Sequence, residues 1–381
     1  MYMERLFRRY LKYKHKYLNL KILFGGNNDL AGARILSDDK DYLSENTELE
    51  VGERHTITRT IASGGLGIVS IIRNDETGQE YILKVPKRGF EENARRECRF
   101  LSKMKDKIKA IKRRMPDFPE DRYIKFRKCF ITLGGQSHVG LITELAGAKI
   151  LKYRHSCDVI HLFNNLYDVL QNLYLIDIAH LDIKRDNIML TDPKTCQSVV
   201  LIDFGSAQHI EDYAGDLQSV FTMISLTGSI VNLFPFIYSG ESGILDAFNA
   251  RPEDKRSVKD LFFLIDLWAV IAVVYYMMSG HHFLLARNFH AAVMLMTETN
   301  LWSHFESFVV GLQPIKEDES KDLPLTRTSS FAQRNVFDGL LEGINEKHKD
   351  FMTFLLIQFK QCVMTGEFNN DYLPKKTDES E

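Results

Sequence analysis

The stretch Leu261–Met278 (LFFLIDLWAVIAVVYYMM) constrains this chain more than any other, because eighteen residues carry one charge, Asp266. Such a run is either a membrane span or a helix buried on every side inside a large domain. The chain has material for the second: of 381 residues, 44% are apolar and 26% charged, with 25 Phe and 15 Tyr, the profile of a folded soluble protein. That length also exceeds what one core usually serves, so a two-lobed unit, or two domains with extensions, is expected.

Charge is unevenly placed. The net charge is −2, yet residues 1–24 hold seven Lys/Arg against Glu4 alone, so the first 24 residues carry +6 and the rest about −8. Within residues 5–24, Tyr10, Tyr13, Tyr17, Leu20 and Phe24 recur at helical spacing among lysines and arginines. This predicts a basic amphipathic helix, suited to an anionic membrane or to nucleic acid, with packing onto the rest of the protein as the alternative. No small-residue cleavage site follows an apolar core there, so no secretory signal is expected. The five cysteines (Cys98, Cys129, Cys157, Cys196, Cys362) are scattered without a C-x-x-C spacing. Neither a disulfide framework nor a zinc site is expected, and a reducing, cytoplasmic compartment fits.

Gly25-Gly26 ends the basic helix, and polar sequence to about residue 50 reads as a linker. Residues 55–86 alternate apolar and polar positions around glycine turns, as antiparallel strands do. A basic helical pattern runs from Glu91 to about Arg114 and closes at Pro116 and Pro119. Strands are expected again over Tyr123–Leu133 and His138–Glu144, and mostly helices beyond residue 150. Residues 313–334 and 368–381 are polar and charged, which predicts a loop and a frayed tail.

Three short motifs carry chemistry when taken in order. Ala62-Ser63-Gly64-Gly65-Leu66-Gly67-Ile68-Val69 is a glycine-rich turn whose backbone N–H groups can approach phosphate oxygens; alone it is equally a hairpin turn. Lys84 follows Val69 by fifteen residues, in the strand-like Tyr81-Ile82-Leu83-Lys84-Val85. Facing outward it is a solvated charge, and facing inward it needs an anion. His180-Leu181-Asp182-Ile183-Lys184-Arg185-Asp186-Asn187 is followed, sixteen residues after Asn187, by Asp203-Phe204-Gly205 at the end of an apolar strand pattern. A carboxylate emerging there can meet a metal ion.

In this order the motifs resemble the eukaryotic protein kinase superfamily, serine/threonine type, over roughly residues 55–365. The resemblance implies a bilobal α+β fold: a small antiparallel sheet with one helix as N-lobe over 51–145, and a larger, mainly helical C-lobe over 146–367. Residues 1–50 would then be the basic helix and linker, and 368–381 a disordered tail. It implies ATP with Mg²⁺, or Mn²⁺ in its place, as the cofactors. Gly64, Gly65, Gly67 and Val69 would enclose the nucleotide and Lys84 would hold its α- and β-phosphates. Glu97 would pair with Lys84, ahead of the competing Glu91 and Glu92, because it stands at helical spacing from Leu101 and Met104. Thr143 would guard the adenine pocket, and Glu144 and Ala146 would belong to the hinge. Asp182 would take the proton of the substrate hydroxyl, Lys184 would steady the phosphoryl group, and Asn187 and Asp203 would bind the metal. Lys184 is the serine/threonine-type residue at its position. Asp266 to Gly280 matches the superfamily's central buried helix, whose Asp caps the loop around Asp182, so no membrane span is expected.

The sequence also departs from the pattern. Ala62 replaces the first glycine of the phosphate loop, and Leu181 replaces an Arg that in many relatives binds an activation-loop phosphate, so activity without that phosphorylation is expected. Gly228 to Phe236 aligns with the superfamily's G-T-x-x-Y-x-A-P-E only weakly, with Phe236 in place of Glu and with Ser229 as the residue that would bond Asp182 and Lys184. Protein substrates are the expected partners and no obligate oligomer is implied. A pseudokinase scaffold and a small-molecule kinase are the rival readings. Residues 10–26 resemble a short N-terminal segment of proteins from large cytoplasmic DNA viruses, which would place the chain in host cytoplasm or virion. The basic run Lys103–Arg114 reads as a solvated helix face or a surface for acidic substrates.

Overall fold

The computed structural model describes residues 48–50, 52–63, 67–133, 136–154, 156–192, 198–213, 258–281, 301–312, 337 and 340–372. The basic segment 5–24, Gly64, Gly65 and the Gly228–Phe236 alignment lie outside these residues.

Six strands form the first layer: β1 (Glu48–Glu50), β2 (Arg54–Ser63), β3 (Gly67–Asn74), β4 (Glu80–Pro86), β5 (Phe126–Leu133) and β6 (Gln136–Glu144). All pair antiparallel in the order β1-β2-β3-β4-β6-β5, and Glu50 opposite Thr132 closes the sheet into a barrel. Closure pairs the edges that an open sheet would leave exposed. Alternating side chains bury Ile57, Ile72, Leu83, Val85, Ile131 and Ile142 as a small core. Helix α1 (Glu91–Lys112) packs beside this sheet. It begins with Glu91 and Glu92 and ends with Lys109 and Lys112, as the helix dipole favours, and it buries Glu97, Cys98, Phe100, Leu101 and Met104 along one face.

The second layer is helical. Asp158 caps α2 (Val159–Leu175) by accepting from the backbone N–H of Ile160 and His161. Asn345 caps α5 (Glu346–Thr365), and Gly366 ends it at φ 83°. Between them run α3 (Val258–Ser279) and α4 (Leu301–Leu312). By length and composition α3 could cross a membrane, yet it is sheathed by protein. It packs on α2 and α5, and Trp268 is wedged against Phe305 of α4 and Phe359 of α5. A helix apolar all round is thus the core of this layer. Packing also continues past residue 367, into the stretch expected to fray. Phe368 lies on Phe163 and Tyr167, and Tyr372 on Phe351 and Phe354. Cys98, Cys129 and Cys362 take part in no disulfide, whereas Cys157 is disulfide-bonded, against the expectation of no disulfides.

Short strands join the layers. β7 (Ala148–Lys149), β9 (Ile188–Leu190) and β10 (Val199–Leu201) form one small sheet, and β8 (Ile178–Ala179) pairs with β11 (Gln208–His209). Gly147 permits the approach of β7 to β9: its φ is +99°, and a Cβ there would stand 2.2 Å from the Leu190 carbonyl oxygen.

Candidate active site

Strand alternation decides the direction of Lys84. Leu83 and Val85 point into the small core, so Lys84 faces the other way, toward α1 and the second layer. Its Nζ donates to Glu97 at 2.9 Å (Oε2) and 3.2 Å (Oε1), and to Asp203 Oδ1 at 2.9 Å. Glu97 is therefore the α1 carboxylate that reaches Lys84. Burial opposes the Lys84 charge, but the two carboxylates outweigh it and hold the ammonium protonated well above the ordinary lysine range. Burial also pushes Asp203 upward, and Lys84 outweighs it, leaving Asp203 below the usual carboxylate value. For the more deeply buried Glu97, desolvation wins and the carboxyl is raised.

Asp182 sits in the loop between β8 and β9, and the shape of that loop is imposed from below. Asp266, fully buried in α3, accepts from the backbone N–H of His180 at 2.7 Å, from that of Leu181 at 2.8 Å and from the Tyr174 hydroxyl at 3.2 Å. Those bonds compensate a buried carboxylate that desolvation nonetheless raises. They also hold Leu181 at φ 61°, a left-handed conformation that costs about 1–2 kcal/mol in a residue with a Cβ. His180 Nδ1 accepts from the Asp182 N–H at 3.3 Å, which makes its Nε2–H the donor to the Ile202 carbonyl at 3.1 Å.

The result is a carboxylate with two different oxygens. Asp182 Oδ2 accepts from Lys184 Nζ at 2.6 Å and from Asn187 Nδ2 at 3.1 Å. Oδ1 is buried and has no hydrogen-bond partner among the described residues. A buried, unpartnered carboxylate oxygen beside an ammonium suits a proton acceptor.

Asp203 follows β10 in a left-handed conformation (φ 62°), which turns its carboxylate toward Lys84 while Phe204 goes inward. The Phe204 ring lies 4.7 Å from His180 and 6.1 Å from Phe100 of α1. The Ile202 N–H donates to the Asn187 carbonyl at 3.0 Å, so the backbone brings the neighbours Asn187 and Asp203 to one edge. Among the described residues no group of three His, Cys, Asp or Glu could hold a metal alone. Asn187 and Asp203 offer amide and carboxylate oxygens, a donor set that fits a hard divalent cation sharing phosphate oxygens.

On the sheet side, Thr143 is buried in β6 opposite Ile82, and Val69 pairs with Lys84. Glu144 ends β6, where its carboxylate is paired by Arg127 and by Lys125 at 3.8 Å. Ala146 lies in the link to β7, and Gly67 opens β3 so close to β4 that a Cβ would meet the Val85 carbonyl oxygen at 2.7 Å. Sequence reasoning missed the contacts beneath α1. Arg96 donates to the Gly205 carbonyl at 2.9 Å, and Lys103 lies 2.8 Å and Lys107 3.3 Å from Glu211. At these two lysines part of the basic face meets Glu211 of the same chain, while the Lys103 side chain stays half exposed. The available signal was helical spacing: Arg96, Phe100, Lys103 and Lys107 share one stripe.

Part of the chain is similar to known protein kinases. Residues 55–225 match the protein kinase domain. Calcium-dependent protein kinase 4 of Plasmodium falciparum is 25% identical over 174 residues, 44% of this chain and 31% of that protein. The serine/threonine-protein kinase SRK2F of Arabidopsis thaliana is 24% identical over 163 residues, 40% of this chain and 41% of that one. The chain thus spans less than half the length of either relative. A crystal structure of a kinase domain superposes with a TM-score of 0.49 at 17% identity, covering 86% of this chain and 96% of that chain. The fold is bilobal, α+β and kinase-like, and nothing in these matches points to a viral origin.

Proposed function

We propose that this protein is a catalytically active protein kinase that transfers the γ-phosphoryl group of ATP to serine or threonine hydroxyls of protein substrates. The observation that carries the reading is the linked pair of clusters: Lys84 bridging Glu97 and Asp203, and Asp182 held between Lys184 and Asn187 with Oδ1 unpartnered among the described residues. Lys84 would bind nucleotide phosphate, with Glu97 and Asp203 fixing its reach. Asn187 and Asp203 would hold Mg²⁺, which when bound supplies charge neutralisation at the phosphates. Asp182 would orient the acceptor hydroxyl and take its proton through Oδ1, while Lys184 offsets negative charge beside it. The serine/threonine preference rests on Lys184 and on the likeness to the serine/threonine-protein kinase SRK2F of Arabidopsis thaliana.

The decisive test is incubation with γ-labelled Mg-ATP and generic protein substrates, comparing wild type with Asp182→Ala, followed by phosphoamino-acid analysis. Label on serine or threonine with wild type alone is the expected result. Nucleotide binding without label would establish a scaffold instead, and label confined to small molecules would move the acceptor class.

A further inference from the structure

An active geometry at Lys84 requires α1 to stay where Glu97 can reach, and the underside of α1 shows what holds it. The stripe Arg96, Phe100, Lys103, Lys107 runs along the segment that follows Asp203. Arg96 meets the Gly205 carbonyl, and Phe100 stacks on Phe204 and, at 4.5 Å, on His209. Lys103 Nζ lies 2.8 Å from Glu211 Oε1 and 3.9 Å from Asp212, and Lys107 Nζ lies 3.3 Å from Glu211 Oε2. Both oxygens of one carboxylate are thus gripped by lysines one helical turn apart. The Glu211 carboxyl is pulled down by the hydrogen bond from Lys103, and the same bond raises Lys103.

Glu211 is itself anchored to the other layer. It sits in a 3-10 turn, Ile210–Tyr213, in which Ile210 is buried and donates its N–H to the Asp177 carbonyl at 3.1 Å. Tyr213 packs edge-on against Phe262 of α3 at 5.7 Å, and Asp177 is tied to Lys259 of α3 at 2.6 Å. Lys107 also donates to the Ile176 carbonyl at 3.1 Å. Meanwhile Leu181, buried at the position where the resemblance expected a phosphate-binding Arg, offers no cation.

We propose that Glu211 is a positioning residue: fixed to α3, it grips Lys103 and Lys107 and keeps Glu97 of α1 on Lys84 without any phosphate. An internal carboxylate, built into the chain, does what a phosphoryl group added to a loop would otherwise do. The proposal rests on the kinase reading above, so its test carries a readout independent of activity.

The experiment uses phosphatase-treated full-length protein and compares wild type, Glu211→Gln, Glu211→Asp, Lys103→Met and the double variant Lys103→Met/Glu211→Gln. Steady-state kinetics are measured together with backbone hydrogen exchange. Exposed ion pairs are individually weak, so the expected loss in kcat for Glu211→Gln is about three- to tenfold, with KM for the protein substrate unchanged. The double variant is expected to lose no more than the worse single one, Glu211→Asp to recover part of the loss, and wild-type activity alone to fall with added salt. Exchange should quicken in α1 and stay unchanged in α3. Unchanged kcat in Glu211→Gln, unchanged exchange in α1, or quickened exchange in both helices overturns the proposal. If wild type shows no more transfer than Asp182→Ala, the kinase reading fails, and exchange in α1 alone then decides whether the grip exists.

Discussion

Helices α1 and α3 each bury one carboxylate, and they use it in opposite ways. Asp266 of α3 is fully buried and is satisfied by two backbone N–H groups and a tyrosine hydroxyl, so it fixes the loop around Asp182 as part of the core. Glu97 of α1 is nearly as buried, yet its partner is the end of a long lysine side chain that also serves Asp203. Main-chain donors cannot move without unfolding something, whereas an ammonium on a four-carbon stem can be released. Burial of a charge thus specifies structure when its partners are mainly backbone and specifies a state when its partner is one mobile side chain.

That contrast can be broken most forcefully at Asp266. Asp266→Ala leaves the His180 and Leu181 N–H groups unpaired and removes the brace on a left-handed residue. Its expected cost is about 3–5 kcal/mol of stability, read by denaturant unfolding. A loss below about 1 kcal/mol would mean that the loop holds its own shape.

The next largest effect is at His209, buried beneath α1 with no partner for either ring nitrogen among the described residues. Burial, then Lys103 and Lys107, push its pKa down to about 4, against the opposing Asp212 and Glu211. A depressed histidine contributes stability that is complete above pH 6.5 and is lost as pH falls toward 4. The total is about 3 kcal/mol. His209→Phe should flatten the stability profile across that window, and a profile identical to wild type would contradict it.

Glu97→Gln separates stability from chemistry. Phosphoryl transfer is expected to fall about a hundredfold, about 2.7 kcal/mol. Thermal unfolding should change by less than about 1 kcal/mol, because desolvation of the charge is relieved while Lys84 keeps Asp203. A large drop in Tm would place Glu97 with Asp266 as a structural acid. The smallest effect is expected at Lys112, whose partner Glu120 is exposed at 2.7 Å. Lys112→Ala should cost less than about 0.5 kcal/mol in the same measurement.

Much of the site was legible before any coordinates. Asp182, Asn187 and Asp203 lie within a short, ordered stretch of chain, and local sequence places them on a loop and a strand end. Asp266 was legible as the one charge in an apolar helix, since such a charge must find partners. The contacts of Lys103 and Lys107 were not, because a lysine on a helix face looks the same whether it meets water or Glu211, a hundred residues away. Nor was the packing of Phe368 and Tyr372, which polar neighbours disguise. Lys84 was undecided until the register of β4 against β3 and β6 showed which face holds the core.

By itself, then, the sequence determined the kinds of groups present and their order: the strand lysine, the loop aspartate with its lysine and asparagine, and the buried helix with its single acid. Those follow from residue type and spacing, which are local. Only the tertiary structure decided who meets whom: Glu97 rather than Glu91 or Glu92 on Lys84, Asp266 under Leu181, Glu211 between two lysines of α1. Pairings of that kind depend on how layers dock, and docking is set by the sum of many packed contacts rather than by any one stretch of chain.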